Sequence, residues 1–195
     1  MRLLTSIRDT ALNILGDIKI FKYPPVFVYD PKSYKFKGHH YKQVLDVVQE
    51  GDVLLRRFDG YLNSYFIPGY WNHAGVYLGG ESNKVLHAVA EGVIMETLFD
   101  FCKTDHVIVL RPQFDIDFIE LSNKIQSTLS KKTKYDFSFN FEENTDLSCT
   151  ELIWFLYKDL DSKLVLDETK FLKMKILPPD SIIKANFKTV LEIRN

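Results

Sequence analysis

The chain has 195 residues, enough for one folded unit with a sizeable core. Apolar residues make up 46% and charged residues 26%, and the formal net charge is −1. That balance excludes a general electrostatic pull toward nucleic acid or anionic lipid, and no apolar run is long enough to span a bilayer.

The predicted elements begin with Leu4, Ile7, Ala11, Ile14, Leu15 and Ile18, which recur at helical spacing and predict an N-terminal helix packed on the rest of the chain. Arg8, Asp9, Asn13 and Asp17 interrupt this stretch, so it does not read as a signal peptide, and a cytoplasmic location is expected. Residues 22–40 are rich in Pro, Tyr and Lys. With Pro24, Pro25 and Pro31 they predict an extended connector, followed by a short helix over Tyr41–Gln49 that ends at Gly51.

Short strands follow. They are expected over Asp52–Phe58, Ala74–Leu78, Lys84–Ala90, Val93–Thr97 and His106–Leu110, with a turn at Gly79-Gly80. Connections this short favour antiparallel neighbours over helical crossovers. Helices are expected over Asp117–Leu129 and Cys149–Leu160, a helical turn after Pro178-Pro179, and a closing strand over Phe187–Ile193. The fold class is α+β, a small antiparallel sheet flanked by helices. The expected organisation is one domain over 1–195, with residues 1–50 as helix and connector and 51–195 as the core.

The chemistry concentrates around few residues. Ser148-Cys149-Thr150-Glu151 has the S-x-x-E pattern of a capping box ahead of an apolar helical run. It sets Cys149 in the first helical turn, where unpaired amides and the helix dipole favour a thiolate. Those amides can also donate to an oxyanion. A thiolate needs a base, and the base an orienting partner. Of five histidines, His39 and His40 fall in the polar connector and His106 is expected to be exposed. His73 opens one strand and His87 lies in the next, so a hairpin through Gly79-Gly80 can set both imidazoles on one face. Cys102 reads as a structural thiol. The two cysteines are too far apart for a CxxC site, no HxxxH pair accompanies them, and no metal or other cofactor is expected.

Several ordered pieces then become familiar. They are Gly51-Asp52-Val53-Leu54-Leu55, Trp71-Asn72-His73-Ala74-Gly75-Val76-Tyr77-Leu78-Gly79, Gly92-Val93, Leu110-Arg111-Pro112, Tyr135-Asp136-Phe137 and Ser148-Cys149-Thr150-Glu151-Leu152. Their order resembles the YiiX-like branch of the NlpC-type superfamily, whose members have a circularly permuted papain-like fold. The resemblance implies a cysteine peptidase or amidase acting on a small peptide or amide, with Cys149 as nucleophile and His73 as base. It puts the third, orienting position at His87, where many YiiX-like sequences carry glutamate. The related lecithin retinol acyltransferase-like branch has a second histidine there, which keeps an acyltransferase or lipase open as an alternative. A non-catalytic binding module on the same fold is the other. Tyr135 and Asp136 are implied oxyanion or substrate-binding residues, and Trp71 a wall of the cleft. Glu91 and Glu96 are nearby acids that do not match the pattern.

Overall fold

The computed structural model describes residues 18–22, 25–29, 34–61, 67–81, 83–137, 146–161, 164–171 and 174–195. Apart from Ile18, the expected N-terminal helix lies outside the described residues. Ile18 itself opens a strand. β1 (Ile18–Lys22) and β2 (Pro25–Tyr29) pair antiparallel; β2 falls where the composition predicted only an extended connector. Pro25 is compatible with this because it is the first residue of its strand, where a missing N–H is tolerated.

The main sheet is built from six antiparallel strands. They are β3 (Val53–Arg57), β4 (His73–Gly79), β5 (Lys84–Val89), β6 (Gly92–Thr97), β7 (His106–Pro112) and β10 (Phe187–Ile193). Their spatial order is β10-β7-β3-β4-β5-β6. Strands β3 to β6 run as a meander, and β7 returns to pair with the free side of β3. The small hairpin of β8 (Thr169–Phe171) and β9 (Met174–Ile176) had no signal strong enough to be expected.

Alternation along the strands gives the sheet two buried faces. Val53, Leu55, Ala74, Val76, Leu86, Ala88, Ile108 and Leu110 pack with Leu152, Ile153, Leu156 and Tyr157. The last four belong to the helix at Cys149–Tyr157. Leu54, Tyr77, Val85, Val107 and Val109 point the other way, toward Val44, Leu98 and Phe101. Among the described residues, five helices cover these faces: α1 (Gly38–Val47), α2 (Leu98–Phe101), α3 (Phe118–Ser130), α4 (Cys149–Tyr157) and α5 (Asp180–Lys184). Helix α1 starts three residues earlier than expected, and α2 is a single capped turn that the apolar pattern did not reveal.

Three contacts position the active end of the sheet. The carboxylate of Asp180 accepts from the amides of Tyr70 and Trp71 at 2.9 and 2.8 Å, fixing the chain just before β4. The hydroxyl of Tyr157 donates to the carbonyl of Gly51 at 2.7 Å, tying α4 to the start of β3. The amide of Val93 donates to the carbonyl of Thr133 at 2.9 Å, which lays the segment before Tyr135 along β6. Gly92 permits that approach. It has φ +112°, and a Cβ there would stand 2.5 Å from the Thr133 carbonyl oxygen.

Candidate active site

Helix α4 starts as the sequence pattern dictates. Ser148 is its N-cap, Ser148 N–H donates to the Glu151 carboxylate at 2.7 Å, and Glu151 N–H donates to Ser148 Oγ at 3.4 Å. Cys149 is therefore the first helical residue, and it is buried. Two backbone amides are aimed at its sulfur, those of Ala74 and Thr150, and the Thr150 hydroxyl lies 3.9 Å away.

The strand register explains why the Ala74 amide is available. Tyr77 N–H donates to the Asp52 carbonyl, so odd-numbered residues of β4 direct their amides at β3. The Ala74 amide must then point toward β5. Pairing of β4 with β5 starts at Gly75↔His87, so Ala74 lies at the end of the paired stretch. The Ala74 amide donates instead to the Cys149 sulfur.

Alternation puts His73, Gly75 and Tyr77 on one face of β4, and His87 stands opposite Gly75. The two imidazoles meet there, with His73 Nε2 and His87 Nδ1 2.9 Å apart and ring centroids at 5.1 Å. Gly75 makes room for the Phe101 ring beside this pair, since a Cβ on it would stand 2.9 Å from that ring and 2.8 Å from Val85. Phe101 in turn contacts both imidazoles, with centroids at 5.9 Å from His73 and 5.6 Å from His87.

Two residues outside the expected set complete this face. Arg56, paired with His73 across β3 and β4, donates to Glu96 Oε1 and to the Phe101 carbonyl, each at 3.0 Å. Its guanidinium carbon lies 4.4 Å from the Phe101 ring centroid. Glu96 Oε1 is also 3.3 Å from His87 Nε2. Glu96 was noted in the sequence as an acid off the family pattern. The signal that places it was alternation, since it lies two residues beyond Ile94, which pairs with His87. The other acid considered, Glu91, is exposed at the turn before β6.

Electrostatics at the site favour neutral groups. Burial pushes the Cys149 thiol above its ordinary value, against the opposing pull of the Ala74 and Thr150 hydrogen bonds. This reverses the direction expected from the helix terminus alone, because removing the sulfur from water outweighs the dipole and its amides. Burial, then the Arg56 charge, then His87 hold His73 well below the ordinary histidine value. Its ring keeps a partly open edge, but the surroundings are those of the interior. Burial and Arg56 depress His87 to about 3. Thiol and imidazole therefore rest uncharged near neutral pH.

Tyr135, within electrostatic reach of the thiol, is half-buried, and its hydroxyl is pushed well up by burial and then by Cys149, Glu151 and Asp136. Asp136 is buried nearby. Trp71 is wholly buried, so its indole is core rather than an open cleft wall. His39 is exposed, and His40 accepts from the Lys37 amide through Nδ1 at 3.1 Å. His106, expected to be exposed, is buried instead. Its Nε2 lies 2.9 Å from Asp59, and its Nδ1 accepts from the Asn195 amide at 2.9 Å. Cys102 is buried and unpaired, with its thiol pushed up to about 12 by burial. Among the described residues, no group of three or more His, Cys, Asp or Glu side chains is arranged to hold a metal ion.

A six-stranded antiparallel sheet with a cysteine at the capped end of the helix packed on it, and a histidine on the strand beside that cysteine, defines a permuted papain-like protein. Residues 47–192 match the family described as permuted papain-like amidase enzyme, YaeF/YiiX, C92 family, and the chain belongs to that family. The fold is also similar to that of the crystal structure of the metalloprotein YiiX from Escherichia coli O157:H7. That comparison has a TM-score of 0.63 at 17% identity, and covers 75% of this chain and 98% of the other. No curated protein sequence matches the chain. Among the described residues, no helix is long and apolar enough to cross a membrane.

Proposed function

We propose that the protein is a cysteine peptidase or amidase that cleaves an amide bond of a small peptide or amide through a thioester on Cys149, with His73 as base. One observation carries this reading: a buried thiol at a capped helix start, with two backbone amides aimed at its sulfur, beside the strand that bears the paired imidazoles.

The chemistry follows from the resting charges. With His73 Nε2 engaged by His87, Nδ1 is the nitrogen left to serve the thiol, and since the two residues form no hydrogen bond at rest, the ring closes on the sulfur as substrate binds. As a substrate carbonyl approaches, His73 takes the thiol proton and the sulfur forms its bond to the carbonyl carbon. Negative charge gathers on the carbonyl oxygen, where main-chain donors at the start of α4 and the Tyr135 hydroxyl stabilise it. The proton on His73 then passes to the leaving nitrogen as the C–N bond breaks. Water, deprotonated by the same imidazole, releases the acid and frees the thiol. His87 holds the ring of His73 throughout, and Asp136 recognises the substrate's polar end.

A neutral resting pair suits this mechanism because activation is deferred until substrate arrives. A cytoplasmic site of action belongs to the same reading, since the nucleophile must stay reduced and both cysteines are unpaired. The test is hydrolysis of a panel of short peptide p-nitroanilides by the wild type, Cys149→Ala and His73→Ala, with circular dichroism as the folding control. The reading requires a substrate cleaved by the wild type and by neither variant. Cleavage that survives in Cys149→Ala refutes it.

A further inference from the structure

The outermost strand of the meander carries a half-buried carboxylate that faces the second imidazole. Glu96 on β6, His87 on β5, His73 on β4 and Arg56 on β3 all lie on one face of the sheet, each reached from the next by strand pairing. The contacts run Arg56 to Glu96 at 3.0 Å, Glu96 to His87 Nε2 at 3.3 Å, and His87 Nδ1 to His73 Nε2 at 2.9 Å. The 3.3 Å contact is bent out of line for a hydrogen bond. His87 Nε2 is otherwise buried with no hydrogen-bond partner among the described residues. A buried ring nitrogen in that state seeks the nearest acceptor, and Glu96 Oε1 is the one at hand.

We propose that Glu96 is a positioning residue which, acting through His87, sets the tautomer of His73 and so decides whether His73 can serve as a base. The proposal rests on the hydrolase reading of Cys149 and His73. The logic follows the protons. An ionised Glu96 can only accept, so His87 carries its proton on Nε2 and presents a bare Nδ1. His73 must then carry its proton on Nε2 and donate it to that Nδ1. Its own Nδ1 is left bare, ready to take a proton from the thiol.

A protonated Glu96 reverses every link. It donates to His87 Nε2, His87 then donates from Nδ1 to His73 Nε2, and His73 holds its proton on Nδ1, where it cannot act as base.

The groups facing Glu96 oppose burial only in part, and its carboxyl stays above the ordinary glutamate value. Arg56 reaches it from β3 and His87, uncharged, from β5. Asp100 stands on α2, with Cys102 and Lys103 just after that helix. Burial pushes the Glu96 carboxyl up and Asp100 adds to this, while the charge and hydrogen bond of Arg56, and more weakly Lys103, pull it down. Arg56 is itself buried and has no second carboxylate among the described residues, so its pairing with Glu96 is reciprocal.

Glu96→Gln removes the charge and the titration while keeping an oxygen for Arg56. The carboxylate bonded directly to the histidine in a Ser–His–Asp triad is worth about 10⁴ in kcat, and one intervening imidazole attenuates that to about a hundredfold here, with KM little changed. The acid limb of the kcat/KM profile should also move away from its wild-type position. Imidazole ¹⁵N spectra across pH should show a bare Nδ1 on His73 at neutral pH in the wild type. That nitrogen becomes protonated as Glu96 titrates, and the pH-driven change is absent in Glu96→Gln. The double variant His87→Glu/Glu96→Gln should outperform His87→Glu alone, because the single variant crowds two carboxylates around one arginine.

Unchanged tautomers and an unchanged acid limb in folded Glu96→Gln would overturn the proposal. The ¹⁵N measurement needs no turnover. A protein that cleaves no amide yet shows the tautomer change would keep the relay and lose the hydrolase reading.

Discussion

Two buried histidines in this sheet each face a carboxylate, and their settings differ instructively. His106 at the start of β7 has both ring nitrogens served. Nε2 lies 2.9 Å from Asp59, while Nδ1 takes the Asn195 amide at 2.9 Å and stands 3.2 Å from the Tyr70 hydroxyl. Asp59 is anchored in turn by Lys35 and Arg57. Burial pushes Asp59 up, but the hydrogen bonds from Lys35, His106 and Arg57 outweigh it and hold the carboxyl at about 2. His87 has a bent contact to its carboxylate, a second imidazole on its other nitrogen, and, through the Ala74 amide that follows that imidazole, the Cys149 thiol close by. A fully satisfied histidine closes a structural clamp. An incompletely satisfied one beside a nucleophile leaves a proton that can move.

The comparison can be broken from either side, and the largest effects belong to the thiol end. Cys149→Ala or His73→Ala should lower kcat by about 10⁴ or more, as loss of either member of a nucleophile–base pair does. His87→Ala should keep the fold and retain some activity, with a loss of about a hundredfold attributable to a mobile His73 ring. His106→Ala should do the reverse. Turnover should stay near wild type, and chemical denaturation should report a stability loss of about 1–3 kcal/mol from the unpaired groups left around Asp59. Wild-type stability in His106→Ala together with lost turnover would erase the distinction between the two histidines.

Acid should sharpen the same contrast. His87 in the folded protein titrates near 3, below the ordinary histidine value. Between about pH 6.5 and 3 the unfolded chain therefore binds a proton there that the folded chain refuses. Stability from this group is complete above the unfolded value and falls as pH drops, at up to about 1.4 kcal/mol per pH unit. Urea midpoints measured from pH 7 to 4 should decline, and His87→Ala should decline less. The smallest effect is in alkylation. Iodoacetamide should modify Cys149 without a low-pH thiolate plateau, because burial raises its thiol, while Cys102, at about 12, should remain unmodified in the folded protein.

Much of the frame was legible because its signals are local. The capping box at Ser148 to Glu151 fixed the start of α4, and apolar runs cut by Gly79-Gly80 and Gly92 marked β4, β5 and β6. The pairing of His73 with His87 followed from period-two alternation across one turn. What escaped depended on the third dimension. Glu96 is one strand further from His73, and only the full register shows that it shares their face. The raised thiol of Cys149 also escaped, because a helix terminus can be read from sequence but the desolvation that outweighs it cannot. His106 looked exposed because its partners Asp59 and Asn195 are distant in sequence. In the hairpin of β1 and β2, helical spacing through Ile18 masked the start of β1 and a proline-rich composition hid β2, where Pro25 occupies the first strand position, which suits it.

The most direct test of the account is whether an acyl group becomes covalently attached to Cys149. The protein would be mixed with p-nitrophenyl acetate, quenched in acid within seconds, and analysed by intact mass and peptide mapping. A burst of nitrophenolate, one acetyl group on Cys149, and loss of both in His73→Ala is the predicted result. A protein that stays unacylated at Cys149, or acetylates equally well in His73→Ala, would contradict the central claim.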